Sequence, residues 1–517
     1  MKAKQIITAR EAASQVKDGD TVASSGFVSS AIPEALIKAL EERFLETGKP
    51  NGVTYFYAGS QGLRDGRGGD HMAHEGMTKR VIAGHYNTAP ALGEKILQGK
   101  IEGYNLPQGV LSQLTRDMAA RRPGTLTHVG LGAFVDPRLG GGKLNSITKD
   151  DMVELVEILG EEKLLYKGFD INVAFLRGSY ADEAGNVTMH REIAEGEVTA
   201  LAQAAKNSGG KVFVQVEKIV PTGALDPRLV KIPRFLVDAI IIADPADHEQ
   251  TYGCEFDPSL TGEERISPDS LPPVPLNVKK LIARRAAIEL KAGSLVNLGI
   301  GIPEFIAAVA NEEGIGESII LTVESGPNGG IPQSGARFGA SVNPECIIAQ
   351  HEQFDYYDGG GIDMAFLGMA QADKEGNINV SMFSGRLAGC GGFINISQNA
   401  KRVFFCGTFT SRGLDVKIED GKLIIEKEGL EKKFIDAVEQ ITFGGAYARQ
   451  KGQPALYITE RAVFELRLDG LWLTEIAPGI DLEKQVLAHM GFTPKMECSG
   501  PRLMDGRIFK DEPMGLI

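Results

Sequence analysis

Cysteine is scarce in this sequence and is poorly spaced for a structural role. The five cysteines form no CxxC pair. Because a disulfide framework or a zinc site needs suitably spaced cysteines, neither is expected. His71 and His74 are three residues apart, as metal ligands on a helix can be, but they complete no recognised ligand pattern. We therefore predict no bound metal and a reducing, cytoplasmic environment.

Basic clusters and long apolar runs are also missing. The formal net charge is -13, whereas binding to a nucleic-acid backbone needs clustered Lys and Arg. The longest apolar run near the middle, 235–243, is interrupted by Asp238 and is far shorter than the roughly 20 residues of a membrane helix. The first residues lack the apolar core of a signal peptide. These absences argue against nucleic-acid and membrane partners.

The chain does contain an imperfect internal duplication. Its 517 residues exceed one ordinary core. Segment 12–22 matches segment 286–296, and both copies continue to an Ile-Pro-Glu tripeptide that precedes an amphipathic helical pattern. The motif Ala-Phe-Leu, followed at identical intervals by Ala-Asp and Gly-Asn, begins at Ala174 and again at Ala365. This matched order predicts two homologous α/β domains.

The periodic pattern lapses between the two copies, in a stretch rich in Pro, Asp and Gly. We predict a first domain over 1–244, a linker over 245–276 and a second domain over 277–517. Strands that alternate with helices, such as the helix predicted over 148–159, indicate open and mostly parallel sheets. The predicted strands lie around 21–26, 54–58, 171–176 and 212–216 in the first domain, and around 295–298, 319–323, 364–367 and 403–406 in the second.

One predicted strand, 319–323, runs directly into a carboxylate and a glycine-rich turn. Glu324 follows the strand, and Gly326, Gly329 and Gly330 would let backbone approach whatever Glu324 faces. Open α/β sheets bind their ligands at the carboxyl ends of such strands. Glu324 is therefore the candidate catalytic residue. The alternative is that Glu324 only begins a solvated turn.

Several motifs resemble those of family I CoA-transferases. The run Gly-Gly-Gly-Ile-Asp-Met-Ala-Phe-Leu-Gly at 359–368 and the loop Gly-Cys-Gly-Gly at 389–392 are similar to the β half of that family. Segments 18–22, 25–27 and 32–34 are similar to its α half. The resemblance spans nearly the whole chain in the order of a fused α-β polypeptide. Within the family, the sequence looks most like the propionate CoA-transferases.

The resemblance implies the CoA-transferase (NagB-like) fold and places the family's catalytic glutamate at Glu324. It implies that acyl-CoA and short-chain monocarboxylic acids, among them propionate, acetate and lactate, exchange CoA by a ping-pong mechanism through a glutamyl-CoA thioester. It also implies a homodimer or homotetramer. Ser325 and Gly326 replace the Asn-Gly that follows the glutamate in ketoacid-type members, which argues against a β-ketoacid or succinyl substrate.

The chemistry of such a transfer can be argued from the residue type. A carboxylate nucleophile keeps the acyl group activated while CoA changes place, and the exchange needs neither a proton nor a metal. No cofactor is therefore expected beyond the CoA thioester itself. Each tetrahedral intermediate still needs hydrogen-bond donors for its oxyanion. The N–H groups of Gly391 and Gly392 are the candidates, although these glycines could serve only a tight turn.

Four more residues are weaker candidates for substrate binding. Gly299 and Gly301 lie between a predicted strand and a predicted helix, where backbone could reach the same site. By the resemblance, Gln61 would be a polar contact in the acyl pocket. Glu460 resembles a second active-site glutamate of some relatives, or else is an exposed charge at a strand end.

Arg67, in the glycine-rich loop 65–70, could contact CoA phosphates, or this loop could simply be solvated. A second carboxylate on the acid would meet no cation that the sequence identifies, so dicarboxylates are expected to be poor substrates.

Three other functions are alternatives to CoA transfer. An acyl-CoA hydrolase could use the same scaffold and glutamate, and would differ in admitting water to the glutamyl thioester. A non-catalytic CoA-sensing module would need no Glu324 motif. A nicotinamide dehydrogenase would need GxGxxG between a strand and a helix with an acidic partner about 20 residues later, and the sequence lacks that arrangement.

Overall fold

In a computed structural model, which describes residues 3–267 and 274–516, the chain forms two large sheets flanked by helices. The helices α1 to α10 are Ala9–Ala13, Glu34–Thr47, Pro90–Leu97, Gln108–Ala119, Val198–Asn207, Val278–Ala287, Glu304–Glu312, Gln350–Asp358, Phe393–Asn399 and Gly445–Lys451. Both α2 and α7 begin directly after the proline of an Ile-Pro-Glu tripeptide, as predicted. Proline suits this position because the first N–H groups of a helix have no acceptor within it.

The first sheet has eight strands, and every neighbouring pair in it is parallel. In spatial order the strands are Gln5–Ile6, Ala239–Ile242, Lys211–Val216, Val173–Arg177, Thr21–Ser24, Val53–Tyr57, Thr78–Ala83 and Glu102–Asn105. The central strands are almost continuously apolar, which is typical of a parallel sheet covered on both faces.

The second sheet has ten strands, of which five in the middle are mutually parallel. Its order is Cys346–Ile347, Pro327–Asn328, Ile320–Thr322, Leu295–Leu298, Met364–Gly368, Arg402–Cys406, Ala455–Ile458, Ala462–Arg467, Gly470–Ile476 and Arg502–Leu503. Antiparallel strands extend both sides of the parallel centre.

The two sheets share one strand order, so the predicted duplication and α/β class are confirmed. In the first sheet, strands 239–242, 211–216, 173–177, 21–24 and 53–57 are successive neighbours. In the second, strands 455–458, 402–406, 364–368, 295–298 and 320–322 follow the same sequence of neighbours. All eight strands predicted from the sequence are present. Below, the chain before 245 is the first half and the chain after 276 is the second half.

The helix predicted over 148–159 was wrong. Val153–Ile158 is a strand that pairs antiparallel with Glu161–Lys167. This stretch is rich in β-branched residues, and Gly160, at φ 79°, permits the tight turn of the hairpin. Pairing with the next strand therefore outweighs the local helical pattern.

Much of the predicted linker is packed against both halves. The Tyr252 hydroxyl donates to the Glu34 carboxylate over 2.8 Å, and the Arg337 guanidinium pairs with Asp257 at 2.8 Å. Linker residues 268–273 lie outside the described residues, and the domain boundaries remain predictions. Within the described ranges, no helix is long and apolar enough to span a bilayer.

Helices from the two halves meet around a partly buried carboxylate. Asp358, at the end of α8, accepts hydrogen bonds from Gln113 of α4 at 2.9 Å and from Asn395 of α9 at 3.0 Å. Asn395 in turn accepts from the N–H of Gly109 over 3.1 Å. Burial raises the pKa of Asp358 to about 7, and the amide donors oppose this rise. Polar groups from both halves thus satisfy one another where the halves join.

Candidate active site

Glu324 lies in a tight turn at the end of a central strand. The turn joins Ile320–Thr322 to the antiparallel strand Pro327–Asn328. Gly326 has φ 128°, and a Cβ there would lie 2.0 Å from the carbonyl oxygen of Ile348. Only glycine fits this position, so the sequence folds the turn tightly and fixes the backbone beside Glu324.

The Glu324 side chain lines a cavity of about 740 Å³ formed by both halves, called the central cavity below. The residue is 9% exposed. Burial raises the pKa of its carboxyl to about 7, and a hydrogen bond from its own N–H partly opposes the rise. A carboxylate that is poorly solvated in this way is a stronger nucleophile than one in bulk water.

Two further strand ends meet the central cavity at the same edge of the sheet. Gly299 and Ile300 follow Leu295–Leu298, and Met369 follows Met364–Gly368; all three residues line the cavity. These strands are parallel to the strand before Glu324, so their carboxyl ends lie side by side. Gly299 is therefore brought to Glu324's cavity.

The loop 388–392 forms another wall and is held by the first half. The Cys390 N–H donates to Asn105 Oδ1 over 2.9 Å, and the Gly391 N–H donates to the Gly84 carbonyl over 2.7 Å. The N–H of Gly391 is thus already occupied. The Gly392 N–H has no acceptor among residues 3–267 and 274–516, and Gly392 lines the cavity. Of the two predicted donors, only Gly392 has a free N–H.

The first half contributes an apolar wall with a few polar side chains. Phe27 of the first half and Phe338 of the second lie with ring centroids 5.8 Å apart. Gln108, at the start of α4, is buried beside Gly391, and its amide donates to Gln350 over 3.2 Å. The other residues that line the cavity from the first half are Val28, Ser60, Leu63, Arg64, His85, Asn87 and Thr88.

Comparisons with known proteins agree with this arrangement. The profile of the "Coenzyme A transferase" family matches residues 6–243. The chain is 46% identical to a caffeate CoA-transferase of Acetobacterium woodii, over 99% of this chain and 98% of that protein. It is 42% identical to the acetate CoA-transferase YdiF of Escherichia coli K12, over 99% of this chain and 96% of that protein. The chain belongs to the coenzyme A transferase family.

A solved structure of a relative has the same architecture. The acyl-CoA transferase YdiF from E. coli O157:H7, crystallised as a thioester complex with CoA, is 40% identical. It superposes with a TM-score of 0.94 over 100% of this chain and 98% of that one. This family I CoA-transferase has its α and β halves fused in one chain, and it transfers CoA between acyl-CoA and carboxylates.

Three predicted substrate-binding residues of this CoA-transferase do not line the central cavity. Gln61 is 0% exposed, and its amide donates to Ser24 Oγ at 3.1 Å and to the Ser25 carbonyl at 2.7 Å. Glu460 is 0% exposed and is bound by Arg461 at 2.7 Å, so it is neither exposed nor part of the cavity wall. The backbone of Gly301 instead bonds the Glu304 carboxylate at the start of α7.

Arg67, for which contact with CoA phosphates and a solvated loop were the two alternatives, is bound by other residues of the protein. Arg67 pairs with Asp65 at 2.6 Å and with Glu249 at 3.2 Å, and it stacks over the Tyr252 ring. The charge of Arg67 is thus paired with carboxylates of the protein itself. Arg64, by contrast, lines the central cavity of the CoA-transferase and forms no ion pair with any described residue. Arg64 is therefore a cation of the cavity wall that the sequence did not identify.

The histidine pair is part of an ion-pair cluster. His71 bonds Glu34 at 2.7 Å and Glu41 at 2.5 Å, and His74 bonds Glu41 at 2.6 Å. No group of three or more His, Cys, Asp or Glu side chains among the described residues is placed to bind a metal.

Several polar residues of the cavity wall were not predicted from the sequence, among them Ser60, Arg64, His85 and Gln108. A signal existed, because Ser60 follows the strand Val53–Tyr57 and His85 follows Thr78–Ala83. These strands end at the same edge of the first sheet. After the strand ends of the first sheet, the sequence prediction named only Gln61 as a contact in the acyl pocket.

Proposed function

We propose that this CoA-transferase exchanges CoA between short-chain monocarboxylic acids, such as propionate, acetate and lactate, through a glutamyl-CoA thioester on Glu324. The single observation that carries the proposal is the position of Glu324. Its carboxyl lies at the end of a central strand, almost buried, in a cavity that both halves line. A nucleophile that must exclude water and accept an acyl group needs such an enclosed position.

The first half-reaction begins with attack of a Glu324 oxygen on the thioester carbonyl of acyl-CoA. The tetrahedral intermediate collapses to a mixed anhydride and expels CoA thiolate. The thiolate attacks the glutamyl carbonyl of the anhydride, releases the first acid as its carboxylate and leaves the glutamyl-CoA thioester. The incoming carboxylate then reverses these steps, so that the new acid leaves as acyl-CoA and Glu324 returns as a carboxylate.

The oxyanion of each tetrahedral intermediate requires donors that are in place before the reaction. The free N–H of Gly392 supports a role for this residue, and the side-chain amide of Gln108 lies on the same side of the cavity. Removal of one such donor typically slows a reaction by roughly 100- to 1000-fold. Gly391 instead holds the loop, because its N–H donates to the Gly84 carbonyl.

An apolar pocket selects only weakly for the size of the acid. One methylene in an apolar pocket is worth only about 1 to 3 kcal/mol, so we expect use of C2 to C4 acids with a decline beyond. Aromatic acids such as caffeate are a second candidate class. Four phenylalanine rings line the cavity, at Phe27, Phe338, Phe383 and Phe393, and caffeate CoA-transferase is among the relatives.

A direct test is to give the protein propionyl-CoA without an acceptor acid. Mass spectrometry should find a CoA adduct on the peptide that contains Glu324, and kinetics with an acceptor should be ping-pong. An adduct on Glu304, Glu460 or Cys390 would contradict the assignment. Initial rates over C2 to C6 acids and caffeate would rank the substrates.

Two controls separate the alternatives. A hydrolase releases CoA at the same rate with and without acetate, whereas a transferase consumes acyl-CoA repeatedly only when an acceptor acid is present. Turnover of any acyl-CoA excludes a purely CoA-sensing role.

We further propose a homodimer or homotetramer that works in the cytoplasm without a cofactor or metal. A mass near the 55.5 kDa of one chain at micromolar concentration would contradict self-association. Activity that survives exhaustive treatment with a chelator would support the absence of a metal requirement.

A further inference from the structure

The first-half wall of the central cavity carries a polar cluster that the transfer chemistry does not use. His85 Nδ1 lies 3.0 Å from Ser60 Oγ, and Ser60 Oγ lies 2.5 Å from Thr88 Oγ1. All three side chains line the cavity, whose walls are otherwise mainly apolar. We call these three residues the His85 cluster. A polar group in an apolar ligand site usually fixes the orientation or identity of the ligand.

Neighbouring residues contact both the backbone and the ring of His85. Its backbone carbonyl accepts a hydrogen bond from the Tyr57 hydroxyl over 3.1 Å. Gly389 packs so closely that a Cβ there would lie 2.7 Å from His85 Cα. His85 Cδ2, the ring carbon bonded to Nε2, lies 3.9 Å from the place of a Cβ on Gly391. The Cδ2 side of the ring, next to Nε2, therefore faces the loop that borders the reaction site.

The Nε2 atom of His85 is available to a ligand. No described residue forms a hydrogen bond with it, whereas Nδ1 is taken by Ser60. Burial, with the nearby charge of Arg64, lowers the pKa of His85 to about 4. The ring is thus neutral at neutral pH, and Nε2 offers either one donor or one acceptor according to the tautomer.

The chemistry of the cluster selects a particular substituent. If Ser60 donates to Nδ1, then Nε2–H is a donor; if Ser60 donates to Thr88, then Nδ1–H donates to Ser60 and Nε2 is an acceptor. A hydroxyl group can pair with either form because it both donates and accepts. A methyl group can pair with neither, and would leave the ring nitrogen unpaired.

We propose that the His85 cluster recognises a hydroxyl group on the acyl chain, so that hydroxy acids are preferred over acids with the same carbon skeleton and no hydroxyl. His85 is the residue that contacts the substrate, and Ser60 is a positioning residue that holds the ring. This inference rests on the proposed transfer between short-chain acids and names the substrate class within it. A site built to bind a hydroxyl discriminates strongly against analogues that lack it.

The test compares matched acids with one acyl-CoA donor. The pairs are lactate with propionate and 3-hydroxybutyrate with butyrate, and the readout is the ratio of kcat/KM within each pair. We expect the wild-type ratio to favour the hydroxy acid in at least one pair. In His85→Asn, the amide can still bond Ser60 but cannot reach the Nε2 position, so the favoured ratio should fall by roughly 3- to 10-fold.

Two further variants distinguish recognition from a general structural effect. His85→Gln carries an amide to about the position of Nε2 and should restore part of the ratio that His85→Asn loses. Ser60→Ala should lower the ratio by less than His85→Asn, because the ring keeps its Nε2 but loses its anchor. Thermal unfolding of each variant checks that it remains folded.

An unchanged ratio in His85→Asn, with both acids of each pair affected equally, would overturn the inference. So would a wild-type ratio that favours the unsubstituted acid in both pairs. If the wild type turns over none of these four acids, the proposed short-chain substrates are wrong. The cluster is then tested independently with 4-hydroxycinnamate against cinnamate, where the same loss of ratio in His85→Asn is expected and its absence again overturns the inference.

Discussion

The N–H of Gln108 donates to the carbonyl of Gly391 over 2.9 Å, across the boundary between the two halves. The N–H of Gly391 donates in the opposite direction, to the Gly84 carbonyl, over 2.7 Å. The loop beside the reaction site therefore belongs to the second half by sequence but is held in place by the first. Each half is therefore incomplete as an active site.

Gly389→Ala tests this attachment of the loop. The residue has φ 89°, and a Cβ would lie 2.7 Å from His85 Cα. We expect a loss of about 1 to 3 kcal/mol in the free energy of unfolding, together with a marked fall in transfer rate. Gly385→Ala is a suitable control, because Gly385 also has a positive φ but its Cβ would meet nothing within 4 Å. An equal fall in rate in both variants would contradict the role of the contact.

Substitution of Glu324 tests the nucleophile. Glu324→Gln keeps the shape but removes the nucleophilic oxygen, so transfer should fall on the order of 10⁴-fold or more while acyl-CoA still binds. Glu324→Asp withdraws the carboxylate by about 1 Å, which can slow a reaction about 100-fold. Steady-state rates and acyl-CoA titration measure the two effects. Near-normal transfer by Glu324→Gln would exclude this residue as the nucleophile.

The pH dependence of the reaction should report the same carboxyl. Burial raises the pKa of Glu324 to about 7, and only the ionised form can attack. We therefore expect kcat/KM for acyl-CoA to fall about tenfold per pH unit below about pH 7. Asp358, whose pKa burial also raises to about 7, could mimic this profile, so Asp358→Asn is the control. If the pH profile shifts in Asp358→Asn, the ionisation that controls the rate belongs to Asp358 and not to Glu324.

Ionisation of Glu324 should lower the free energy of unfolding, although the same ionisation is needed for activity. Its pKa is 4.5 when unperturbed and about 7 in the folded protein, so the folded state binds the proton more tightly. Stability is then lost as the pH rises from about 4.5 through about 7. Glu324→Gln should raise the free energy of unfolding by about 1 to 3 kcal/mol at pH 8 and by much less at pH 4.5. Urea unfolding at the two pH values provides the measurement, and equal effects at both would contradict the pKa.

Arg64 and Arg67 should differ in their effect on substrate binding. Arg64 lines the cavity without an ion pair among the described residues, whereas Arg67 is paired with Asp65 and Glu249. If Arg64 contacts CoA phosphates, Arg64→Met should raise KM for acyl-CoA roughly 2- to 10-fold and leave KM for an acyl-pantetheine thioester little changed. Arg67→Met should leave the ratio of these KM values alone. An equal rise for both thioesters in Arg64→Met would exclude phosphate binding.

Turnover of succinate tests whether Arg64 binds the second carboxylate of a dicarboxylic acid. The sequence predicted poor use of dicarboxylates because no cation could be assigned to them, and Arg64 removes that argument. Succinate turnover that depends on Arg64 would show that the guanidinium pairs with a distal carboxylate instead.

The sequence by itself determined the duplication, the positions of the central strands along the chain and the place of Glu324 after one of them. These features follow from local patterns: apolar runs bounded by glycine, repeated motifs at equal intervals, and a carboxylate at the end of a strand. The helix predicted over 148–159 failed because a hairpin partner, Glu161–Lys167, competed with the local pattern. Whether a segment pairs with a neighbouring strand depends on the tertiary structure and not on its local pattern.

Tertiary structure alone decided which polar groups remain free for a ligand. Gly391 and Gly392 are adjacent in the chain, yet only Gly391 finds an acceptor, in the first half. Arg64 and Arg67 share one loop, but Asp65 and Glu249 engage only Arg67. Glu460 lies near a strand end like Glu324, yet its carboxylate is paired with Arg461 and accepts a hydrogen bond from the Phe409 N–H. A polar side chain becomes available or unavailable through partners that are distant in sequence, because hydrogen bonds and burial are set by contacts in space.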